Sequence, residues 1–586
     1  MSIKSAPKNA ENLLFYALPL GHSPLGFGRP TKRRAGKVSV LLWADNLART
    51  RAEAGRKQAA LLAEAPREQS EPMKQANPGH GRYSPLPVQI HPMTTKTKIL
   101  IIGVLAVTGL TAQAQSAAAA SPPPPSAFDE FVKDVKNPTD WLTWGADFRA
   151  RNEYFNNALT LSENDAASLN EQDVIRFRAR LWANARVMTN LSVNARLSAE
   201  PRQWMKNSFA AWKENADSSG VQRGTGLEWR YGILDNLNVQ WKQPFGHEPL
   251  SLTVGRQDIL LGDFYDWWLV ADGTPGDGSW SFFLDAARVT YELKDIKTRL
   301  DLIGIYHSPQ PDAWLPTLDY SKNYSLTEQR ESGLVLYGSN KSIENMQIDG
   351  YFIYKHDDQV WANKGDNADI YTVGAKITGT PAEHWKYSVE GAYQFGSKGD
   401  SIRTSLASAA EYGPRTIDAY GGKAKLTYMF KDKMNNELSL VGEFLSGDDP
   451  DTEGTDEMFD LLWGRWPRWS ELYIYSYPLE TSGKIAQINN IGRFGLAWSV
   501  NPVKKLTFSA MYNALFAPQE VPTRTVAPGL FSGDGNFRGH YAQLVLKYQF
   551  NKYLNAHLWA ESVWEGDYYN QRDQMSFLRG EVMLSF

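Results

Sequence analysis

From Asp173 to Glu200 the chain alternates apolar and polar side chains with almost no break. Ile175, Phe177, Ala179, Leu181, Ala183, Ala185 and Val187 share one parity, and Arg176, Arg178, Arg180, Asn184 and Arg186 the other. After Thr189-Asn190 the alternation resumes, with Leu191, Val193, Ala195 and Leu197 set against Asn194, Arg196 and Ser198. A period of two over ten or more residues predicts long antiparallel strands with one greasy face and one wet face. The wet face is crowded with guanidinium groups, so the simplest solvent for the opposite face is lipid.

The same pattern recurs down the chain. Trp141 to Phe155 places Leu142, Trp144, Ala146, Phe148 and Ala150 outward and Thr143, Asp147, Arg149, Arg151 and Glu153 inward. Comparable strands are predicted at 237–241, 250–254, 287–293, 300–306, 371–377, 387–395, 420–430, 438–444, 494–500, 506–512, 542–550, 554–560 and 578–586, with weaker ones near Glu228, Leu334 and Phe352. Short turns (Thr189-Asn190, Asp295 to Lys297, Gly379 to Glu383, Asn501 to Val503, Asn551-Lys552) alternate with long polar loops at 156–172, 201–226, 258–282, 308–330, 396–417, 446–487 and 514–538. The expected fold is an all-β transmembrane antiparallel barrel of the outer-membrane type, with about 18 strands, long extracellular loops and short periplasmic turns.

Composition supports this reading. The chain holds 20 Trp, 27 Tyr and 25 Phe but no Cys, and its mean hydropathy is only -0.44. Aromatic girdles over a polar lumen and polar loops combine those two properties. Upstream, Met93 to Lys98 is a basic n-region, Ile99 to Thr111 an apolar core, and Ala112 and Ala114 a small-residue cleavage pattern, so 93–114 is expected to be a cleaved signal for passage through the inner membrane of a Gram-negative cell. A signal works poorly from an internal position, and residues 1–92 are expected to be a disordered extension upstream of the true start. Residues 115–140 read as a Pro-rich periplasmic linker with a short amphipathic piece from Phe128 to Lys136, and 141–586 as the barrel. From Gln115 onward there are 46 basic and 59 acidic residues, a net charge of -13 that disfavours a nucleic-acid partner.

The candidate chemistry lies in the inward cations: Arg149, Arg151, Arg176, Arg178, Arg180, Arg186, Arg196, Arg256, Arg288, Arg299, Lys376, Lys423, Lys425, Arg493 and Arg579. Rings of Arg and Lys in a pore favour anions, and a guanidinium fork matches a carboxylate bidentately. The bland alternative is that each Arg braces the wall against a lumen acid, as Arg149 or Arg180 would with Glu153. Residues Gly447 to Glu457 are expected to form a solvated acidic loop, Trp463, Trp466 and Trp469 to fold their loop as a plug, and Trp267 and Trp268 to sit in a girdle. His307 and His356 carry no metal-ligand pattern, and no Ser/His/Asp arrangement or cofactor motif stands out, so an enzyme is not expected.

Three segments resemble the alginate export porin family: Arg149-Ala-Arg151-Asn-Glu153, Val254-Gly-Arg256-Gln257, and Phe459-Asp-Leu-Leu-Trp463 continuing through Trp469 to Leu472-Tyr473-Ile474. The resemblance implies a monomeric 18-stranded outer-membrane barrel whose Arg- and Lys-lined lumen passes the anionic polysaccharide alginate outward. The chain departs from that pattern where later strands turn Glu390, Glu443, Glu561 and Glu581 inward. The expected partners are an anionic polysaccharide, outer-membrane lipid, periplasmic export proteins, and the barrel assembly machinery through the last strand ending at Phe586. The alternative function is uptake of oligosaccharides or small anions.

Overall fold

The computed structural model describes residues 126–586 apart from 159–160, 164–169, 207, 210–220, 223–225, 229–231, 262–268, 270–282, 310–326, 328, 361–364, 400–413, 465–468, 482–487, 524 and 526. The expected extension, signal and Pro-rich run, together with Trp267, Trp268 and Trp466, lie outside the described residues.

Eighteen strands close into one antiparallel barrel. They are β1 (Leu142–Asn156), β2 (Glu171–Met188), β3 (Leu191–Ala199), β4 (Gly232–Lys242), β5 (Leu250–Gln257), β6 (Leu284–Leu293), β7 (Thr298–His307), β8 (Arg330–Asn340) and β9 (Met346–Asp358). The second half comprises β10 (Asn367–Ala382), β11 (Trp385–Gly399), β12 (Arg415–Met429), β13 (Glu437–Leu445), β14 (Ile491–Val503), β15 (Leu506–Phe516), β16 (Phe537–Gln549), β17 (Leu554–Glu565) and β18 (Gln574–Ser585). Each strand pairs with its neighbours in sequence, and β1 pairs with β18 to complete the ring. Ala146 and Phe586 exchange both backbone hydrogen bonds at that seam, and the Phe586 ring packs edge-on against Trp144. Closure leaves no unpaired edge, which the hydrocarbon region requires.

The outward face carries the lipid belt, with Phe148, Leu181, Val254, Leu302, Leu336, Val373, Leu440, Leu496, Leu544 and Val582 all exposed. Aromatic clusters mark both rims. Trp241–Phe245, Trp385–Tyr428 and Tyr548–Phe550 lie at the short-turn end; Tyr371–Phe395, Tyr420–Phe444 and Phe516–Phe537 lie at the loop end.

The strands differ from the sequence reading in two ways. The stretch near Glu228 is not a barrel strand: Gly226–Glu228 pairs with Arg202–Trp204, which in turn extends the loop end of β2. Several strands also run further than alternation indicated, since β11 reaches Gly399 and β12 begins at Arg415 inside what reads as loop. Above the lipid both faces meet polar surroundings, so the hydropathy contrast fades while the backbone ladder continues. Before the barrel, α1 (Ala127–Lys136) starts with a capping box in which Ser126 and Asp129 satisfy each other's backbone N–H groups. Asp129 accepts from the Tyr553 hydroxyl at 2.8 Å and Phe128 packs on the Tyr553 ring, which ties the helix to the turn between β16 and β17.

Candidate lumen site

Alternation and register together build a guanidinium cluster at mid-height on β18, β1 and β2. Arg149 stands opposite Arg178, Arg151 opposite Arg176 and Glu581, and Glu153 opposite Arg579. Like charges directly opposite repel, so the cluster persists through the acids set among them. Glu153 accepts from Arg176 at 3.0 Å, Arg579 at 2.6 Å and Arg151 at 3.3 Å. Glu581 accepts from Arg151 at 2.7 Å, and Asp147 accepts from Arg180 Nε at 2.9 Å on one oxygen and lies 2.6 Å from Arg180 Nη2 on the other. Glu200, just beyond β3, is buried; burial alone would raise its pKa, but Arg176, Arg149, Arg178 and Arg202 around it hold it below the ordinary value. Arg149, Arg151, Arg176, Arg178 and Arg579 are at most 3% exposed. Arg–acid pairing is therefore present, but with partners the sequence did not propose: Arg180 meets Asp147, and Arg149 lies 3.7 Å from Glu581 and 3.8 Å from Glu200.

The other sequence candidates are spread around the wall. Arg196 bonds both Asp235 and Asp258, while Arg256 bonds Asp285 and the Leu234 carbonyl with its guanidinium 3.7 Å from the Phe283 ring centroid. Arg288 and Arg299 share Asp301. Lys376 is buried opposite Asp349 and Glu390, Lys423 pairs with Glu390 at 3.3 Å, and Arg493 pairs with Glu443 at 2.7 Å. Lys425 is exposed in the short-turn half. Arg186 departs from the expectation: it sits exposed at the short-turn rim and donates to the Asp140 carbonyl, away from the central cluster.

Why the central cluster is dry follows from the segment 446–490 between β13 and β14, whose described residues pack inside the barrel. Leu461, Leu462, Trp463, Leu472, Tyr473 and Tyr477 are at most 3% exposed. The Trp463 indole sits over Gly333 of β8, where an added Cβ would come 2.6 Å from the ring. Trp469 is buried, its carbonyl accepting from Tyr541 and Gln543. Both indoles therefore pack as part of a plug. Across the lumen, Ser470 and the backbone N–H groups of Glu471 and Leu472 donate to Glu561 of β17. Glu471 itself takes Arg579 at 2.7 Å.

The acidic stretch is only in part the solvated loop expected there: Asp451 and Glu453 are exposed, but its two ends are not. Asp448 and Asp456 are buried and grip Arg415 at 2.8 and 3.0 Å, and Lys398 adds a 2.8 Å contact to Asp456. Burial first and Asp456 second raise the Asp448 pKa to about 6, against the pull of Arg415. Further along, Asp460 lies 3.7 Å from Lys355 of β9 and exchanges backbone hydrogen bonds with the Gln394 amide.

Sequence reasoning missed Lys355, Lys398, Arg415 and Arg538 as inward cations. Lys398 and Arg415 fall in the strand extensions above the lipid. Arg538, which holds Glu480 at 2.7 Å through two nitrogens, faces inward because Gly539 adopts φ +133 at a register shift against β15. Such a bulge inverts the phase of the residues before it, and a Gly near a strand end was the one visible signal.

Beneath the plug the lumen opens into two recesses. One, of about 830 Å³, is walled by the short-turn halves of β2 to β7 and is lined largely by amides, hydroxyls and Arg. The other, of about 570 Å³, lies against β11 to β17 and mixes Trp469, Trp559 and Met511 with Lys423, Lys425, Arg493 and Lys547. Among the described residues there is no group of three or more His, Cys, Asp or Glu placed to hold a metal ion.

Solved structures similar to this one include OccK8 (OprE) of Pseudomonas aeruginosa, 12% identical with a TM-score of 0.46 over 76% of this chain and 98% of that one. OccAB1 of Acinetobacter baumannii is 10% identical with a TM-score of 0.47 over 76% and 96%. No curated protein matches the chain significantly. The family model described as alginate export matches residues 140–579, from the residues leading into β1 to the middle of β18. With that match running through the whole closed barrel, the chain belongs to the alginate export family.

Proposed function

We propose that this outer-membrane channel passes an anionic polysaccharide outward, and that the segment 446–490 closes the lumen until the polymer displaces it. The observation that carries the reading is the central cluster. Arg149, Arg151, Arg176, Arg178, Arg180, Arg202 and Arg579 gather around the wall and loop-end acids Asp147, Glu153, Glu200 and Glu581. A further carboxylate, Glu471, comes from the plug. Withdrawing the plug removes one negative charge from Arg579 and exposes guanidinium forks on adjacent strands about 4.8 Å apart, with same-face spacing of about 6.7 Å along each strand. That pitch is fine enough to follow carboxylates along a sugar chain. Meanwhile the lumen cations with more exposure, such as Lys425 and Arg299, lie in the periplasmic half, where an outgoing polyanion arrives first. The last strand ending at Phe586 fits recognition by the assembly machinery, and the turn-side rim fits contact with periplasmic export proteins.

The test is electrical. Arg176→Glu with Arg178→Glu, in the full chain reconstituted in planar bilayers, should move the reversal potential in a salt gradient from anion towards cation preference and abolish current block by polyuronate. A wild-type channel that already prefers cations, or a double variant still blocked, overturns the assignment.

A further inference from the structure

The 830 Å³ recess contains a feature that anion attraction does not require. Asn184 on β2, Asn194 on β3 and Asn238 on β4 are in direct register and form one hydrogen-bonded row. Asn184 donates to Asn194 at 2.6 Å, Asn194 to Asn238 at 2.9 Å, and Asn238 to Asn236 at 2.8 Å and to the Arg256 carbonyl at 3.0 Å. Asn is a poor strand former. Three in register on adjoining strands run against local propensity, and since Asn184 and Asn194 are only half-buried the row gains little from burial. Conflicts of that kind mark functional positions.

Beside the row, Trp182 packs against the wall of β1. Its ring occupies the space where a side chain on Gly145 would be, an added Cβ there falling 2.3 Å from the indole. The ring also lines the recess, and Lys136, the last residue of α1, holds its ammonium 5.6 Å from the ring centroid. Planar amides fixed beside an indole, with a cation over one of its faces, are the chemistry that recognises a pyranose: the amides meet adjacent hydroxyls, the indole's other face meets the C–H face of the ring, and the cation meets its carboxylate. Asn184 and Asn194 each use one N–H on the neighbouring Asn, which leaves the Asn184 carbonyl oxygen and the second N–H of Asn184 and Asn194 for a ligand.

We infer that Trp182, Asn184 and Asn194, with Asn238 holding the row and Lys136 above the ring, form a subsite for one sugar residue of the polymer on the periplasmic side of the plug. It rests on the polysaccharide reading above and deepens it, because it selects a polyhydroxylated acid over any other polyanion. Arg196, two residues beyond Asn194 and so about 6.7 Å along β3, faces the same recess and stands where the next carboxylate along the chain passes.

The experiment measures equilibrium binding to the purified full chain in detergent of three probes of matched length: a uronate tetrasaccharide, a neutral tetrasaccharide, and an oligoacrylate carrying the same charge without hydroxyls. The expected result is a Kd for the tetrauronate at least about tenfold below that for the oligoacrylate, with magnetisation transfer from aromatic side chains to the pyranose ring protons. Asn194→Leu should raise the tetrauronate Kd about tenfold and leave the oligoacrylate unchanged, with folding checked by heat-modifiable gel migration. Should that variant fail to fold, Trp182→Leu against Trp182→Phe provides the same test, since Phe keeps a stacking face. Equal affinity for tetrauronate and oligoacrylate in the wild type overturns the subsite while leaving the anion reading intact. Neutral sugar bound as tightly as tetrauronate, and lost with Asn194→Leu, supports the subsite and overturns the anion reading.

Discussion

Arg415 is the residue whose loss should open the barrel. Its guanidinium donates to Asp448 at 2.8 Å, to Asp456 at 3.0 Å and to the Thr455 carbonyl at 2.7 Å, so one strand residue fastens the start of the plug in two places. Both aspartates are at most 3% exposed. Arg415→Ala leaves Asp456 with Lys398 and the Met458 N–H, and Asp448 with the Thr523 hydroxyl at 2.6 Å. Breaking a buried pair by removing one partner costs about 3 to 5 kcal/mol, because the other charge stays desolvated. The barrel ladder does not depend on these contacts, so the cost falls on the packed position of the plug and shifts its equilibrium by roughly two to four orders of magnitude. The assay is single-channel recording, where open probability should rise from near zero to a dominant open level while heat-modifiable migration stays normal. A pH dependence accompanies it. A carboxyl whose packed-state pKa is raised binds its proton more tightly when the plug is seated, so the seated form gains stability as pH falls from about 6 towards 3.8 and loses it as pH rises through that window. Wild-type open probability should therefore increase between pH 4 and 7. Without the lowering influence of Arg415 the window moves up. An Arg415→Ala channel as closed as wild type at neutral pH would show that the plug is not held there.

Three further outcomes are expected. Leu440→Arg, on the lipid face of β13, should cost about 2 to 4 kcal/mol near the bilayer midplane and block assembly, whereas Gln240→Arg on the lumen face of β4 should fold normally; equal tolerance in urea-folding titrations would mean that the faces are inverted. Gly333→Ala places a Cβ 2.1 Å from the Tyr354 carbonyl oxygen and 2.6 Å from Trp463, and should loosen the seated plug by about 1 to 3 kcal/mol, read as faster proteolysis within 446–490. Glu471→Gln removes the plug's charge from Arg579, so polyuronate should block at lower concentration; an unchanged blocking concentration would separate Arg579 from the polymer path.

Much of the architecture is decided locally. In a strand each side chain's face follows from the backbone pleat alone, so alternation assigns Arg149, Arg151, Arg176 and Arg178 to the lumen and Phe148 and Leu181 to lipid without knowledge of any partner. Chain order likewise follows, because antiparallel neighbours joined by tight turns have few other ways to pair. Which charges meet is not local. Arg151 finds Glu581 across 430 residues only when the first and last strands close the ring, and Glu471 reaches Arg579 only because its loop folds inward. Nor does alternation report bulges, which turned Arg538 inward at Gly539, or strand extensions above the lipid, which hold Lys398 and Arg415. Residues 446–490 illustrate the division: their Trp and Leu content marks a segment that must bury itself, but the lumen into which it does so exists only after eighteen strands have closed around it, since side-chain contacts depend on distance in space and the pleat depends only on the adjacent bonds.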